Sequence, residues 1–218
     1  MDQPPSIYGL NKSTLSYSAI NLWETSHEQY RNRYYKLTPW VDTPETLYGK
    51  KIHKMIETED PFVKKVPRYT LGEYQLKTVI SDVPVIAYID SLCQYTNRFL
   101  DFKTGRPRPD GSPRWTALEV AKTDQLPFYS LFLKEKFGHV TDLCHLIWLP
   151  TKTIKKSIEH LGNQLGVKDE IEWNGEVHVF PRVIHEYERK AAREKIIRIA
   201  KEISNDYETY TKTKNRIL

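Results

Sequence analysis

The residues whose types and spacing could do chemistry are Asp90, Asp101 and Lys103, within the stretch PVIAYIDSLCQYTNRFLDFKTGRPRP, Pro84 to Pro109. Two runs rich in β-branched and aromatic residues around a short polar link read as a β-hairpin. With the turn centred between Tyr95 and Thr96, Asp90 faces Asp101 directly across the two strands. Directly opposed side chains have Cβ atoms about 4.5–5.5 Å apart, and two like charges there are destabilising unless something compensates. A divalent cation would. Strand alternation then places Lys103 on the same face as the carboxylates. Two hard oxygen ligands beside an ammonium group suit Mg²⁺ or Mn²⁺ with a bound water to be activated, the chemistry of metal-assisted hydrolysis. The competing reading is a solvated, charged strand face, because D-x-K also arises by chance in a chain with 28% charged residues. Against it, FLDFKTG carries large apolar residues that need the opposite face buried, and Ile89 and Leu92 do the same around Asp90.

The elements that must position these groups follow from changes of hydrophobic period. A helix capped by Ser16 or Ser18 is predicted through Tyr34 and Tyr35, with Pro39 stopping it. Thr43-Pro44-Glu45 begins a second helix, with an apolar stripe of Leu47, Ile52, Met55 and Ile56 reaching about Thr58. Tyr74 to Ile80, Val85 to Cys93 and Asn97 to Lys103 then form a three-strand meander. Arg106 to Arg114 is a loop; Leu118 to Phe137 is largely helical, with Pro127 requiring a start just before it or a kink. Leu143 to Leu149 is a buried strand, Glu172 to Phe180 alternates like another, and Val183 to about Tyr207 closes the chain as a long helix. The order ααβββαβ(α)βα implies an α/β sheet flanked by helices on both faces.

Composition bounds what such a scaffold could do. The chain has 218 residues, 39% of them hydrophobic and 12% aromatic, enough for an ordinary core and against global disorder. That length implies one domain, with a helical part over about 15–60 and a C-terminal helix over about 183–207. A net charge of +5 is a mild bias toward polyanionic partners. Two cysteines, Cys93 and Cys144, exclude a disulfide framework and any four-cysteine zinc or iron–sulfur site built from this chain, and point to a reducing compartment. Met1-Asp2-Gln3-Pro4-Pro5 has neither a basic stretch nor an apolar core, and the run Val83 to Ile89 is too short to span a bilayer, so the expectation is a cytoplasmic protein without a membrane segment. No phosphate-binding G-x-x-x-x-G-K-[ST] loop or dinucleotide G-x-G-x-x-G turn occurs, which disfavours a nucleotide-driven motor or a Rossmann oxidoreductase.

Four motifs in order resemble the PD-(D/E)XK nuclease superfamily, and within it the RecB-like exonuclease-type domains. AYIDSL resembles the metal-binding aspartate motif and LDFKTGRP the D-x-K-T-G motif, giving Asp90, Asp101 and Lys103. GKKIHKMIE resembles the G-x-x-x-H helix motif, which implies His53 as a further metal ligand, and QLPFY resembles the Q-x-x-x-Y motif, giving Gln125 and Tyr129. Leu15 to Tyr35 is similar to the amino-terminal helix pattern, so the resemblance runs from about Leu15 to Ile203. Ala87 stands where relatives often have Gly, and the iron–sulfur cluster of some relatives is excluded by the cysteine count. The implied fold is a restriction-endonuclease-like core, a central mixed β-sheet flanked by helices.

Each further residue has a plainer reading beside the functional one. Gly49, His53 and Glu57 share one helical face, so His53 can point toward the sheet, as a core histidine also would. Gln125 and Tyr129 lie one turn apart and would contact the scissile strand or support Lys103, although Tyr129 also belongs to a core stripe with Phe132 and Leu133. Glu73 is either an extra acid near the metal or a solvated strand start. Arg106, Arg108 and Arg114 suit phosphate contacts just past the D-x-K strand, or simply solubility, and the final helix reads as an amphipathic face with i to i+4 ion pairs.

The resemblance implies a metal-dependent deoxyribonuclease, an exonuclease rather than an endonuclease, leaving 5′-phosphate ends in recombination, repair or replication. Asp90, Asp101, His53 and the main-chain carbonyl of Phe102 would hold the Mg²⁺ or Mn²⁺. DNA is the expected partner, single- or double-stranded, alongside other recombination or replication proteins. A DNA-binding or scaffolding subunit with a relic site is the alternative, and no residue excludes RNA.

Overall fold

The computed structural model describes residues 8–9, 12–39, 41–159 and 165–215. The opening Met1 to Pro5, read above for targeting signals, lies outside them. Among the described residues six strands and six α-helices build a mixed sheet with helices on both faces, as expected.

The first predicted helix is two helices. Ser26 ends α1 (Tyr17–Thr25) with its N–H on the Leu22 carbonyl and starts α2 (His27–Tyr34) by accepting from the Gln29 N–H. A serine favours that double role because its hydroxyl competes with helical backbone bonds. Helix α3 (Pro44–Glu57) begins as anticipated, with Thr43 accepting from the Thr46 N–H and Pro44 in the first turn, where its missing N–H costs nothing. Strands β1 (Leu71–Ile80) and β2 (Val83–Leu92) pair antiparallel through the two-residue turn Ser81-Asp82, both residues at positive φ. That is the turn conformation whose twist matches a hairpin.

Strand β3 (Phe99–Gly105) pairs antiparallel with β2, through Ser91↔Leu100 and Leu92↔Phe99. A crossover through α4 (Ala117–Lys122) and α5 (Gln125–Phe137) then delivers β4 (Leu143–Glu159) parallel to β3. Pro127 is accommodated in the first turn of α5 after a break between the two helices.

Two expectations fail on the C-terminal side. Strand β4 does not stop at Leu149: its second half pairs with β5 (Leu165–Trp173), where the sequence reading had at most a helix. Glu172 to Phe180 is not one strand, because the Asn174-Gly175 turn divides the end of β5 from β6 (His178–Val183), which returns to pair with the first half of β4. Val183 therefore belongs to a strand, and the last helix, α6, runs Glu186–Asn215.

The sheet separates two cores. Val85, Ala87 and Ile89 of β2, Phe99 of β3, and Phe128 and Phe132 of α5 pack in the larger one with α1, α2 and α6. Ile52 and Ile56 of α3 pack against Leu100 and Phe102 of β3, Ile147 and Leu149 of β4, and Trp173 in the smaller. The alternation along β3 puts Asp101 and Lys103 on the α5 side. No helix of the described residues is long and apolar enough to cross a membrane.

Candidate active site

The site forms where β2 and β3 part. Their ladder pairs Leu92 with Phe99 and Ser91 with Leu100, and the same register carried one step further sets Asp90 opposite Asp101. At that step the Phe102 N–H donates instead to Asp90 Oδ2, at 2.6 Å. The carboxylate thus satisfies a backbone donor that the ladder would otherwise have paired. Regular alternation along β2 also breaks here: Val85, Ala87 and Ile89 enter the larger core two apart, but the next residue to do so is Leu92. On the other flank Glu73 lies between the pairs Gly72↔Ser91 and Tyr74↔Ile89, opposite Asp90, with a φ of +39° that is rare outside glycine. Irregular strand geometry of this kind re-aims a side chain.

Groups from both faces reach this opening. From α3, His53 Nδ1 lies 3.3 Å from Asp90 Oδ1, and its ring meets Phe102 edge-on. Gly49, one turn earlier, lets α3 lie against β3: a Cβ there would come within 2.9 Å of Thr104 Oγ1. From α5, Gln125 Oε1 accepts from Lys103 Nζ at 2.7 Å, while its Nε2 donates to the Tyr129 hydroxyl at 2.7 Å. Lys103 also donates to Asp101 Oδ1 at 3.2 Å.

Asp101 is 2% exposed, and burial pushes its carboxyl up, reinforced by the charge of Asp90 and opposed by Lys103. Its buried Oδ2 accepts no hydrogen bond, although Lys103 Nζ lies 2.9 Å away as an ion-pair contact. For His53 burial works against the charged form, but the hydrogen bond and charge of Asp90, joined by the charge of Asp101, outweigh it and the imidazole is raised above its ordinary value. The Tyr129 phenol is pushed up by burial and by the charge of Asp101, which keeps it a neutral partner for Gln125.

Among the described residues no three His, Cys, Asp or Glu side chains converge as a metal-holding group. A Mg²⁺-type site does not need three, since one or two carboxylates are completed by substrate oxygens and water. The donor set fits such an ion: the hard carboxylate oxygens of Asp101 and Asp90 lie side by side, with Lys103 Nζ 2.9 Å from Asp101 Oδ2.

The structure therefore brings together Asp90, Asp101, Lys103, His53, Phe102, Gln125 and Tyr129. Glu73 borders the same concavity as His53 and Lys103. Arg106 and Arg108 are held elsewhere: Arg106 by Glu45 at 2.8 Å, and Arg108 by Glu119 at 2.7 Å. Sequence reasoning missed Tyr17, whose phenol is raised by burial first, then by the charge of Asp124, with Asp101 a smaller contributor, and Thr104, the surface on which Gly49 rests. Neither carries a local signal, since both depend on which elements touch.

No family model matches the chain, and no curated protein matches it. Among solved structures, a presumed exonuclease from Eubacterium rectale aligns over 90% of this chain and 83% of its own, at 9% identity and a TM-score of 0.52. An alkaline exonuclease from Laribacter hongkongensis aligns over 94% and 95%, at 11% identity and a TM-score of 0.41. At such an identity the first likeness shows a shared fold.

Proposed function

We propose that this chain is a metal-dependent nuclease of the PD-(D/E)XK type that hydrolyses phosphodiester bonds in DNA, working as a single domain and from strand ends. The observation that carries the reading is the buried carboxylate of Asp101, set beside Asp90 and ion-paired with Lys103 at 2.9 Å. Asp90 and Asp101, with His53 and the main-chain carbonyl of Phe102, would hold Mg²⁺ or Mn²⁺. Such an ion supplies polarisation of the scissile phosphate and acidification of a water.

The protein's own groups do the rest. Lys103 donates hydrogen bonds to a non-bridging phosphate oxygen and to a lone pair of the attacking water, orienting the water and stabilising charge that grows in the transition state. Gln125 fixes the ammonium by accepting from it, and Tyr129 fixes the amide by accepting from its Nε2, so Lys103 is aimed before substrate arrives. His53 donates to Asp90 and holds that carboxylate in place.

The test is cleavage of end-labelled linear and circular DNA, single- and double-stranded, with Mg²⁺, Mn²⁺ or EDTA. Metal-dependent loss of linear DNA by the wild type and not by Lys103→Ala supports the assignment, and intact circles make it an exonuclease. Undiminished cleavage by Lys103→Ala overturns it.

A further inference from the structure

Two concavities meet beside the candidate site. One, of about 570 Å³, is bordered by His53, Glu73 and Lys103, and the other, of about 750 Å³, by Gly105, Pro109 and Arg114. Glu45 and Thr104 border both, so together they form a trough leading from Lys103 past the end of β3.

Of the three arginines on the loop after β3, two are spent on structure. Arg106 donates to Glu45 at 2.8 Å and to Thr153 Oγ1 at 3.1 Å, tying the strand exit to α3 and β4. Arg108 donates to Glu119 at 2.7 Å and to the Pro113 carbonyl at 2.6 Å, and its N–H donates to the Ser112 carbonyl at 2.9 Å, which staples the loop across itself. Arg114 follows directly on that staple. It is exposed, and among the described residues its guanidinium makes no hydrogen bond or ion pair. Its stem rests over Gly105, where an added Cβ would lie 3.4 Å from Cδ and 3.8 Å from Nε. Gly105 also has a φ of +152°, a conformation that favours glycine.

A seated stem with an unclaimed head is a pre-organised donor. Guanidinium presents five N–H groups in a planar fork that matches a phosphate bidentately. Glu45, the acid shared by both parts of the trough, is already neutralised by Arg106 and does not compete. From Lys103 to Gly105 the strand advances about 7 Å, on the scale that separates neighbouring phosphates in an extended strand.

We propose that Arg114 is a positioning residue that grips a backbone phosphate next to the scissile one, on the side where the trough leaves β3. This rests on the nuclease reading above.

Binding of a fluorescent single-stranded DNA in EDTA, from 50 to 200 mM salt, tests it. Arg114→Ala should weaken binding about tenfold and flatten the slope of log affinity against log salt by about 0.7, while Arg114→Lys keeps the slope. In cleavage with Mg²⁺, Arg114→Ala should raise KM about tenfold with kcat little changed. A neutral methylphosphonate stepped through the strand should weaken the wild type at one position where Arg114→Ala is indifferent. If the wild type cuts DNA but Arg114→Ala keeps the wild-type affinity and salt slope, this proposal falls and the nuclease reading stands. If the wild type neither binds nor cuts DNA, both fall.

Discussion

Lys103 Nζ on β3 lies 2.7 Å from Gln125 Oε1 on α5, and that amide is held in turn by the Tyr129 hydroxyl. The ammonium is therefore fixed by a helix of the crossover between β3 and β4, and the effects of mutation should be graded along this chain.

Lys103→Ala removes the donor itself and should lower kcat about 10²–10³-fold, the scale for losing one transition-state donor. Gln125→Ala leaves the lysine but frees it, and should cost about 10–100-fold through misplacement. Tyr129→Phe should cost less than Gln125→Ala. Single-turnover rates on one DNA substrate check the ranking, and a Tyr129→Phe defect as deep as that of Lys103→Ala would refute it.

Asp101 stores a buried charge. Its folded pKa is raised above the unfolded value, so the favourable contribution is full below the unfolded pKa and is lost as pH rises through the folded one. In EDTA at pH 7, Asp101→Asn should therefore unfold a few degrees above the wild type, where about 1 kcal/mol moves Tm by about 2–4 °C in a chain of this size. The gap should close as pH falls below the ordinary carboxylate range. The same variant should lose cleavage and any rise in Tm on adding Mg²⁺. Thermal melts at two pH values, with and without the ion, decide it.

Gly49 sets the spacing between α3 and β3. Gly49→Ala should lower activity several-fold, because the new Cβ meets Thr104 Oγ1 and shifts His53 from Asp90. Thr104→Ala in the same chain removes the obstructing atom and should restore much of the rate. Failure of the double variant to recover would show that the helix, not the contact, was damaged.

The two cysteines should differ in reactivity. The Cys93 thiol is lowered by hydrogen bonds from the Thr96 side chain and from the backbone at Thr96 and Tyr95, whereas burial pushes Cys144 up to about 12. A thiol reagent at pH 7.5 should label the native protein at Cys93 alone and reach Cys144 only on unfolding, which mass spectrometry of the labelled peptides reads directly.

The pairing of Asp90 with Asp101 was legible in the sequence because a short polar link between two apolar runs leaves few registers, and the observed pairs keep the register inferred from Tyr95 and Thr96. The break at Ser26 was not, since one apolar stripe continues through both helices and only the serine marks the change. Glu172 to Phe180 alternated convincingly, yet Asn174-Gly175 is a turn signal, and its weight was overridden by the period of the flanking residues. The second half of β4 is hidden in the sequence because its lysines pair with acids across the ladder to β5, as Lys156 does with Glu170, rather than burying an apolar face. The freedom of Arg114 depends on Glu45, far away in sequence, and on the nearby Glu119 having already claimed Arg106 and Arg108, a partition that no local pattern announces.

The crossover between β3 and β4 also orders events as the chain folds. A hairpin such as β2–β3 closes in about 1–10 μs, whereas parallel pairing across a long connection is intrinsically slow. The two aspartates and Lys103 meet on the early hairpin, but Gln125 is carried by the late crossover. The expected order therefore has the acids and the lysine together before the clamp that aims them, with the reactive geometry arriving last.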